Sequence, residues 1–333
     1  MTNHRATSTQ PDTAFDAIQV GNGALTARIL PYGATLQDLR LEGTPHALVL
    51  GHPTARDYVD STAYFGAVVG RCANRIANGR YDLEGKTCHT PRNFLDRHTL
   101  HGGGNSIERM VWQVVSRTET EVSLHLHLPD GHEGFGGNLD LRLTYRILPP
   151  AVLSFELTAT TDSASLCNIA PHWYFNLDGT GPICDHRLSV VARHYLPVDQ
   201  ELIPTGEIAP VAGTPFDFQT ARAVGDVLYD HNFCLSDGPQ PCREVARLTG
   251  PMSGITLTLS TTEPGLQVYS GAYLDETERS TLNGQPYTPF TGIALEPQGW
   301  PDAPNQPGFP SVVLRQGETY RHVSTFAFSR ADG

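Results

Sequence analysis

Nowhere does the chain gather lysine and arginine into a run, and its 23 basic residues are outnumbered by 35 acidic ones for a formal charge of -12. A surface of that sign repels a phosphate backbone, so nucleic acid is excluded as a partner. No segment approaches the roughly 20 consecutive apolar residues that span a bilayer. The opening MTNHRATSTQPDTAFDAIQV also lacks the apolar centre of a secretory signal. No membrane association and a cytoplasmic location are therefore expected. The six cysteines (Cys72, Cys88, Cys167, Cys184, Cys234, Cys242) form no C-x-x-C pair. They read as free, mostly buried thiols, not as a disulfide framework or a zinc site. Long amphipathic helical patterns and β-α-β alternation are missing too.

What is present is a globular balance of 39% apolar and 17% charged residues over 333 positions, enough for a sizeable core. The 32 glycines and 25 prolines are scattered without a G-X-Y period, which marks a turn-rich protein. Period-two alternation runs through Glu121 to Leu128, Leu139 to Ile147, Leu153 to Ala159, Ile255 to Ser260 and Tyr320 to Phe328. Such segments are strands. Turn clusters at Asn22-Gly23, Glu84-Gly85, Asp130-Gly131, Asp178-Gly179 and Gln316-Gly317 separate them, as antiparallel hairpins require. Only Pro53 to Tyr58 and Asp217 to Val227 offer a turn or two of helix. The expectation is an all-β fold, a large antiparallel β-sandwich, with a loose N-terminal arm over 1–10 and a single domain over 11–333.

Several segments could carry chemistry. Pro171-His172-Trp173-Tyr174-Phe175-Asn176-Leu177 packs an imidazole, three aromatic rings and an amide into seven positions. In a strand His172, Tyr174 and Asn176 share one face and Trp173 and Phe175 the other, so one side reads as polar and the other as core. Taken alone, His172 reads first as a buried, hydrogen-bonded structural histidine and only second as a catalytic one. Glu296 ends the apolar run Ile293-Ala294-Leu295, where it either accepts bonds from turn amides or serves as a general base tuned by burial.

Gly66 to Ile76 (GAVVGRCANRI) and Leu100-His101-Gly102-Gly103-Gly104 match neither the G-x-G-x-x-G nor the P-loop spacing. Asn74 and Arg75 instead offer donors suited to sugar hydroxyls. His125-x-His127, with His132 or Glu133 nearby, makes metal binding a minor reading. Tyr229-Asp230-His231-Asn232-Phe233 and Gly265-Leu266-Gln267-Val268-Tyr269 set hydrogen-bonding side chains within apolar strands, where they need a protein or ligand partner. Polar sites scattered in this way suit a ligand covered with hydroxyls.

In these stretches the sequence resembles the aldose 1-epimerase (galactose mutarotase) family, from about Gly33 to Phe328. The resemblance is carried by YFGAVVGRCANRIANGRYDLEGK, LHGG, PDGHEGFGGNL, HWYFNLDG, LPVDQELIPTGEI, GTPFDF, YDHNFCL, PGLQVYSGAYLD and ALEPQGWPDAPNQPGFPSVVLRQGETYRH, in that order. It implies a galactose-mutarotase-like supersandwich with an open cleft, no metal and no organic cofactor. It also implies roles: Glu296 as catalytic base, His172 as catalytic acid and His101 bonded to the substrate near its reacting end. Asn74, Arg75, Asp230 and Gln267 match the family's sugar contacts, and Tyr174 makes a wall. The family pattern TNHxYFNL is replaced here by Ala170-Pro171-His172-Trp173-Tyr174, and Gly104 to Trp112 lacks the usual GFDK. Both differences bear on local shape and sugar preference.

Anomer interconversion needs one acid and one base, each reversing its role on ring closure, and no net proton. An aromatic face such as Trp300 or Tyr174 could cover the ring's C–H surface. The implied partner is a small-molecule monosaccharide, bound by a monomer or weak homodimer. Three rivals stand beside this reading. A carbohydrate-binding protein of the same fold would lack catalysis. A glycoside hydrolase would use two carboxylates. A phosphosugar epimerase would want a basic pocket.

Overall fold

Alternating segments build one wide sheet. In the computed structural model, which describes residues 15–330, all five segments with period-two patterning lie side by side in a nine-stranded antiparallel sheet. Its order is Arg222–Ala223, Arg187–Val190, Arg243–Thr249, Ile255–Thr261, Tyr320–Arg330, Val152–Thr161, Leu139–Leu148, Glu121–Leu128, Gln113–Arg117. Leu139–Leu148 alternates buried and more exposed positions throughout, because one face meets the core and the other meets water. The N-terminal arm expected over 1–10 lies outside the described residues.

A second antiparallel sheet has six strands, in the order Tyr174–Phe175, Ile293–Gln298, Gly265–Tyr269, Asp230–Cys234, His194–Tyr195, Ala209–Pro210. Its inner face supplies Phe175, Phe233, Leu266, Val268, Ile293 and Leu295 to a core shared with the large sheet. Trp173 joins them, its ring 4.6 Å from Phe326 and 6.0 Å from Phe155. The two sheets thus pack face to face, as in a sandwich. A three-stranded meander, Ile18–Gly21, Leu25–Leu30 and Thr35–Leu41, adds Val20, Leu25, Ile29 and Leu39 to the same core.

The helical expectations are corrected. Near Pro53 to Tyr58 only the four-residue helix Asp57–Asp60 forms. Asp217 to Val227 forms none: Arg222–Ala223 pairs with Arg187–Leu188 as an edge strand, and the Arg222 guanidinium ties back to the Asp217 carbonyl at 2.8 Å. Edge pairing satisfies the backbone that a short, glycine-interrupted helix would leave open. All six cysteines are free, but only Cys72 and Cys167 are fully buried; three are half-buried and Cys242 is exposed.

Candidate active site

Projecting from the outer face of the six-stranded sheet are Asp230, Gln267 and Glu296. The register sets Asp230 opposite Tyr269 and Gln267 opposite Glu296, with Tyr174 opposite Ala294 on the other side. Alternation explains the set, since Leu266, Val268 and Leu295 point to the core between them. His172 reaches the same face from two positions before Tyr174. Its N–H donates to the Ala67 carbonyl at 2.8 Å, and the preceding pair Ala170–Pro171 lies against Val68–Val69. Pro171 is tolerated because this pair is only two residues long, and the Val68 N–H opposite turns away to the Gly33 carbonyl.

Asn74, Arg75 and His101 arrive from loops. Arg75–Ile76 pairs with Thr99–Leu100, and the His101 N–H donates to the Asn74 carbonyl at 2.9 Å. In return the Asn74 N–H donates to His101 Nδ1 at 3.1 Å, which leaves Nε2 of the neutral ring as its N–H donor. The glycines after His101 allow close approach and cradle no phosphate: a Cβ on Gly102 would stand 2.3 Å from the Gly70 carbonyl oxygen.

Apart from Gln267, these side chains line a cleft of about 580 Å³, which holds Asn74, Arg75, His101, His172, Tyr174, Asp230 and Glu296 on one wall system. Nε2 of His172 stands 3.6 Å from Oε1 of Glu296, both groups almost fully buried. The His101 and His172 rings meet edge to face at 5.1 Å. Arg75 donates to Asp230 Oδ2 at 3.0 Å and lies over the Phe94 ring, while Gln267 donates to Asp230 Oδ1 at 2.6 Å. Both carboxylate oxygens of Asp230 are therefore oriented before any ligand arrives. Glu296 Oε2, His172 Nδ1 and Arg75 Nε have no hydrogen-bond partner among the described residues.

Burial sets the protonation of the pair. It pushes His172 down to about 4. It also lowers His101 well below the ordinary imidazole range, with nearby His172 and Arg75 adding to the effect. Glu296 is raised well above the ordinary carboxylate range by the same burial, with Asp230 raising it further and Arg75 opposing. Both members of the pair thus favour their uncharged forms.

Five side chains singled out in the sequence lie elsewhere. Gln267 is behind the cleft wall and reaches it through Asp230. Asn176 is turned into its own loop, donating to the Gly181 and Thr291 carbonyls and accepting from Asp178 and Gly179. Trp300 packs on Phe309 and donates to the Pro264 carbonyl away from the cleft, so it covers no sugar there. His125 and His127 both turn to Asp140 Oδ1 at 3.2 Å. No cluster of three or more His, Cys, Asp or Glu among the described residues is arranged to hold a metal ion. The cleft also contains Tyr64, Phe94, Glu201, Leu202 and Tyr269, to which the sequence reading gave no role. Of these, Tyr269 shares its strand face with Gln267, but the strand is buried at every remaining position, so no alternation of burial marks that face.

The chain is thus an antiparallel β-sandwich with a buried carboxyl and imidazole facing one polar cleft. Comparison with known proteins narrows this. The family model described as Aldose 1-epimerase matches residues 16–327. The galactose mutarotase of Rattus norvegicus is 40% identical over 96% of this chain and 95% of its own. That of Homo sapiens is 39% identical over 95% and 94%. The aldose 1-epimerase of Escherichia coli K12 is 34% identical over 92% and 93%. Among solved structures, a GalM/aldose epimerase homologue from C. elegans superposes with a TM-score of 0.90 at 31% identity, covering 96% of this chain and 100% of that one. The chain belongs to the aldose 1-epimerase family, and it is an isomerase of the mutarotase type.

Proposed function

We propose that this protein interconverts the α and β anomers of free aldoses of the galactose or glucose type. Glu296 takes the proton from the C1 hydroxyl while His172 delivers one to the ring oxygen. The C1–O5 bond breaks, the aldehyde turns about C1–C2, and closure on the other face returns both protons. The observation that carries this reading is the 3.6 Å approach of His172 to Glu296 inside the cleft. Because burial favours the uncharged forms of both groups, imidazole with carboxylic acid is the resting placement, and the reacting one, imidazolium with carboxylate, arises when that proton moves from Glu296 to His172. The acid and base regenerate each other, so the chemistry calls for no cofactor.

His101 donates through Nε2 near the reacting end. Asn74, Arg75 and Asp230 bond hydroxyls away from C1, Gln267 keeps Asp230 in place, and Tyr174 forms a wall. Charge-assisted bonds of this kind are strong and strict in geometry. A sugar phosphate is disfavoured: Arg75 is the only Lys or Arg on the wall, already paired, among the carboxyls of Glu201, Asp230, Asp275, Glu276 and Glu296. No helix among the described residues is long and apolar enough to cross a membrane. A cytoplasmic location belongs to the same reading and is supported by six unpaired thiols, which suit a reducing compartment. So does a monomer or weak homodimer.

Polarimetry of freshly dissolved α-D-galactose, α-D-glucose and aldopentoses tests activity and preference together. Acceleration is expected for the wild-type protein, and Glu296→Gln should lower kcat by about 10²- to 10⁴-fold with little change in KM. A binding protein without catalysis would show no acceleration at all, and an unchanged rate in the variant would remove Glu296 from its role.

A further inference from the structure

We propose that Tyr64 is a positioning residue for the acid-base machinery: its ring, wedged against both imidazoles, fixes the arrangement of His101 and His172 and keeps water from that side of them. This rests on the reading of His172 and Glu296 as acid and base.

Tyr64 has φ +57°, a left-handed conformation that bulky side chains rarely adopt and that persists only where the surroundings fix it. Here they do. Ala67 N–H donates to the Tyr64 carbonyl at 3.1 Å, Gly66 N–H donates to the His172 carbonyl at 3.2 Å, and His172 N–H donates to the Ala67 carbonyl at 2.8 Å. The turn is thereby bonded to His172 on both sides of the peptide chain. It cannot back away, since Gly66 at φ +67° sits so close to Leu36 that a Cβ would lie 2.1 Å from its carbonyl oxygen.

Held in this way, the Tyr64 ring centroid lies 4.6 Å from that of His101, edge on, and 5.6 Å from that of His172. Its hydroxyl makes no hydrogen bond with a described residue, so the ring and not the oxygen is what the fold secures. Behind the ring is a void of about 20 Å³ bordered by Tyr32, Glu108 and Arg109. The remaining groups around His172 are Glu296, His101 and Tyr174, with Asp230, Arg75 and Tyr269 further along the cleft. Among these, Tyr64 alone touches both imidazoles without being a sequence-assigned member of the site. An aromatic wedge there limits the tilt of two rings whose nitrogens must meet the sugar within a fraction of an ångström.

Tyr64→Asn and Tyr64→Phe test this. Asparagine accepts the left-handed backbone while removing the ring, so its effect is not one of backbone strain. Should it still prevent folding, Tyr64→Gly, which also accepts the left-handed backbone, is read in its place. Polarimetric kcat is expected to fall about 100-fold in Tyr64→Asn with KM within about threefold, and to stay within about threefold of wild type in Tyr64→Phe. Titration of the imidazole C–H signals by NMR should show His101 and His172 protonating at higher pH in Tyr64→Asn, as water reaches them. Retained kcat in the ring-less variant would overturn the proposal. So would a rise in KM alone, which would make Tyr64 a sugar contact, or an equal loss in Tyr64→Phe, which would assign the work to its hydroxyl. If the wild-type protein accelerated no mutarotation, the acid-base reading would fail, while the NMR shift would still report whether the ring shields the imidazoles.

Discussion

Buried beside one another, a carboxyl and an imidazole both disfavour charge, so Glu296 and His172 hold one transferable proton between them over a wide span of pH. Adding a second proton to the uncharged pair means protonating His172, which burial holds down to about 4. Removing the proton means ionising Glu296, which burial places well above the ordinary carboxylate range. Activity is therefore expected to fall on the acid side only as pH drops through about 4, and not near the ordinary imidazole value. After subtraction of the uncatalysed rate, kcat/KM should be flat between pH 5.5 and 7, about one unit or more above the acid transition. A half-maximal point near pH 6.5 on the acid limb would show that His172 titrates as an exposed imidazole does.

Elements differed in how plainly the sequence announced them. Strands of the wide sheet, such as Leu139–Leu148, have one wet face, and the resulting alternation is visible residue by residue. The strand that carries Glu296, Ile293–Gln298, is buried at every position, so no alternation marks which side chains face the cleft. The same holds for Gly265–Tyr269, apart from half-buried Tyr269. Period two alone places His172 and Tyr174 on one face and Trp173 on the other, and the extended chain leading into the strand at Tyr174 has them so. Asn176 broke the pattern because the strand ends at Phe175 and the chain turns, bringing the amide into its own loop. Asn74 and His101 share a site through a two-residue pairing of Arg75–Ile76 with Thr99–Leu100, too short for any periodicity to reveal. Their candidacy came from family resemblance and donor chemistry. Tyr64 was legible by neither route, since its place depends on a left-handed turn and on Gly66 lying against a different strand.

Across the whole molecule, buried ionisable groups couple protonation to stability. Glu263 is 2% exposed, lies outside the cleft, and is raised to about 8 by burial against an ordinary value of 4.5. Between those values the folded chain keeps a proton that the unfolded chain has released. Its contribution is therefore full below about pH 4.5 and is lost as pH rises through 8. Glu263→Gln removes that dependence: its Tm should exceed that of wild type by about 5 °C at pH 8.5, with no such gain at pH 4.5. An equal difference at both pH values in thermal melts would show that Glu263 ionises freely in the folded protein. The proposed acid-base pair is the other place where the whole fold converges, since Glu296 lies in the strand Ile293–Gln298 while His172, far away in sequence, lies in the link leading into the neighbouring strand Tyr174–Phe175. Groups that act as a unit do not lose function additively. The most direct measurement is the rate of α-D-galactose mutarotation for His172→Asn, Glu296→Gln and the double variant. The double variant should be no slower than the slower single one, within about threefold. Losses that multiply would contradict a proton passed between the two.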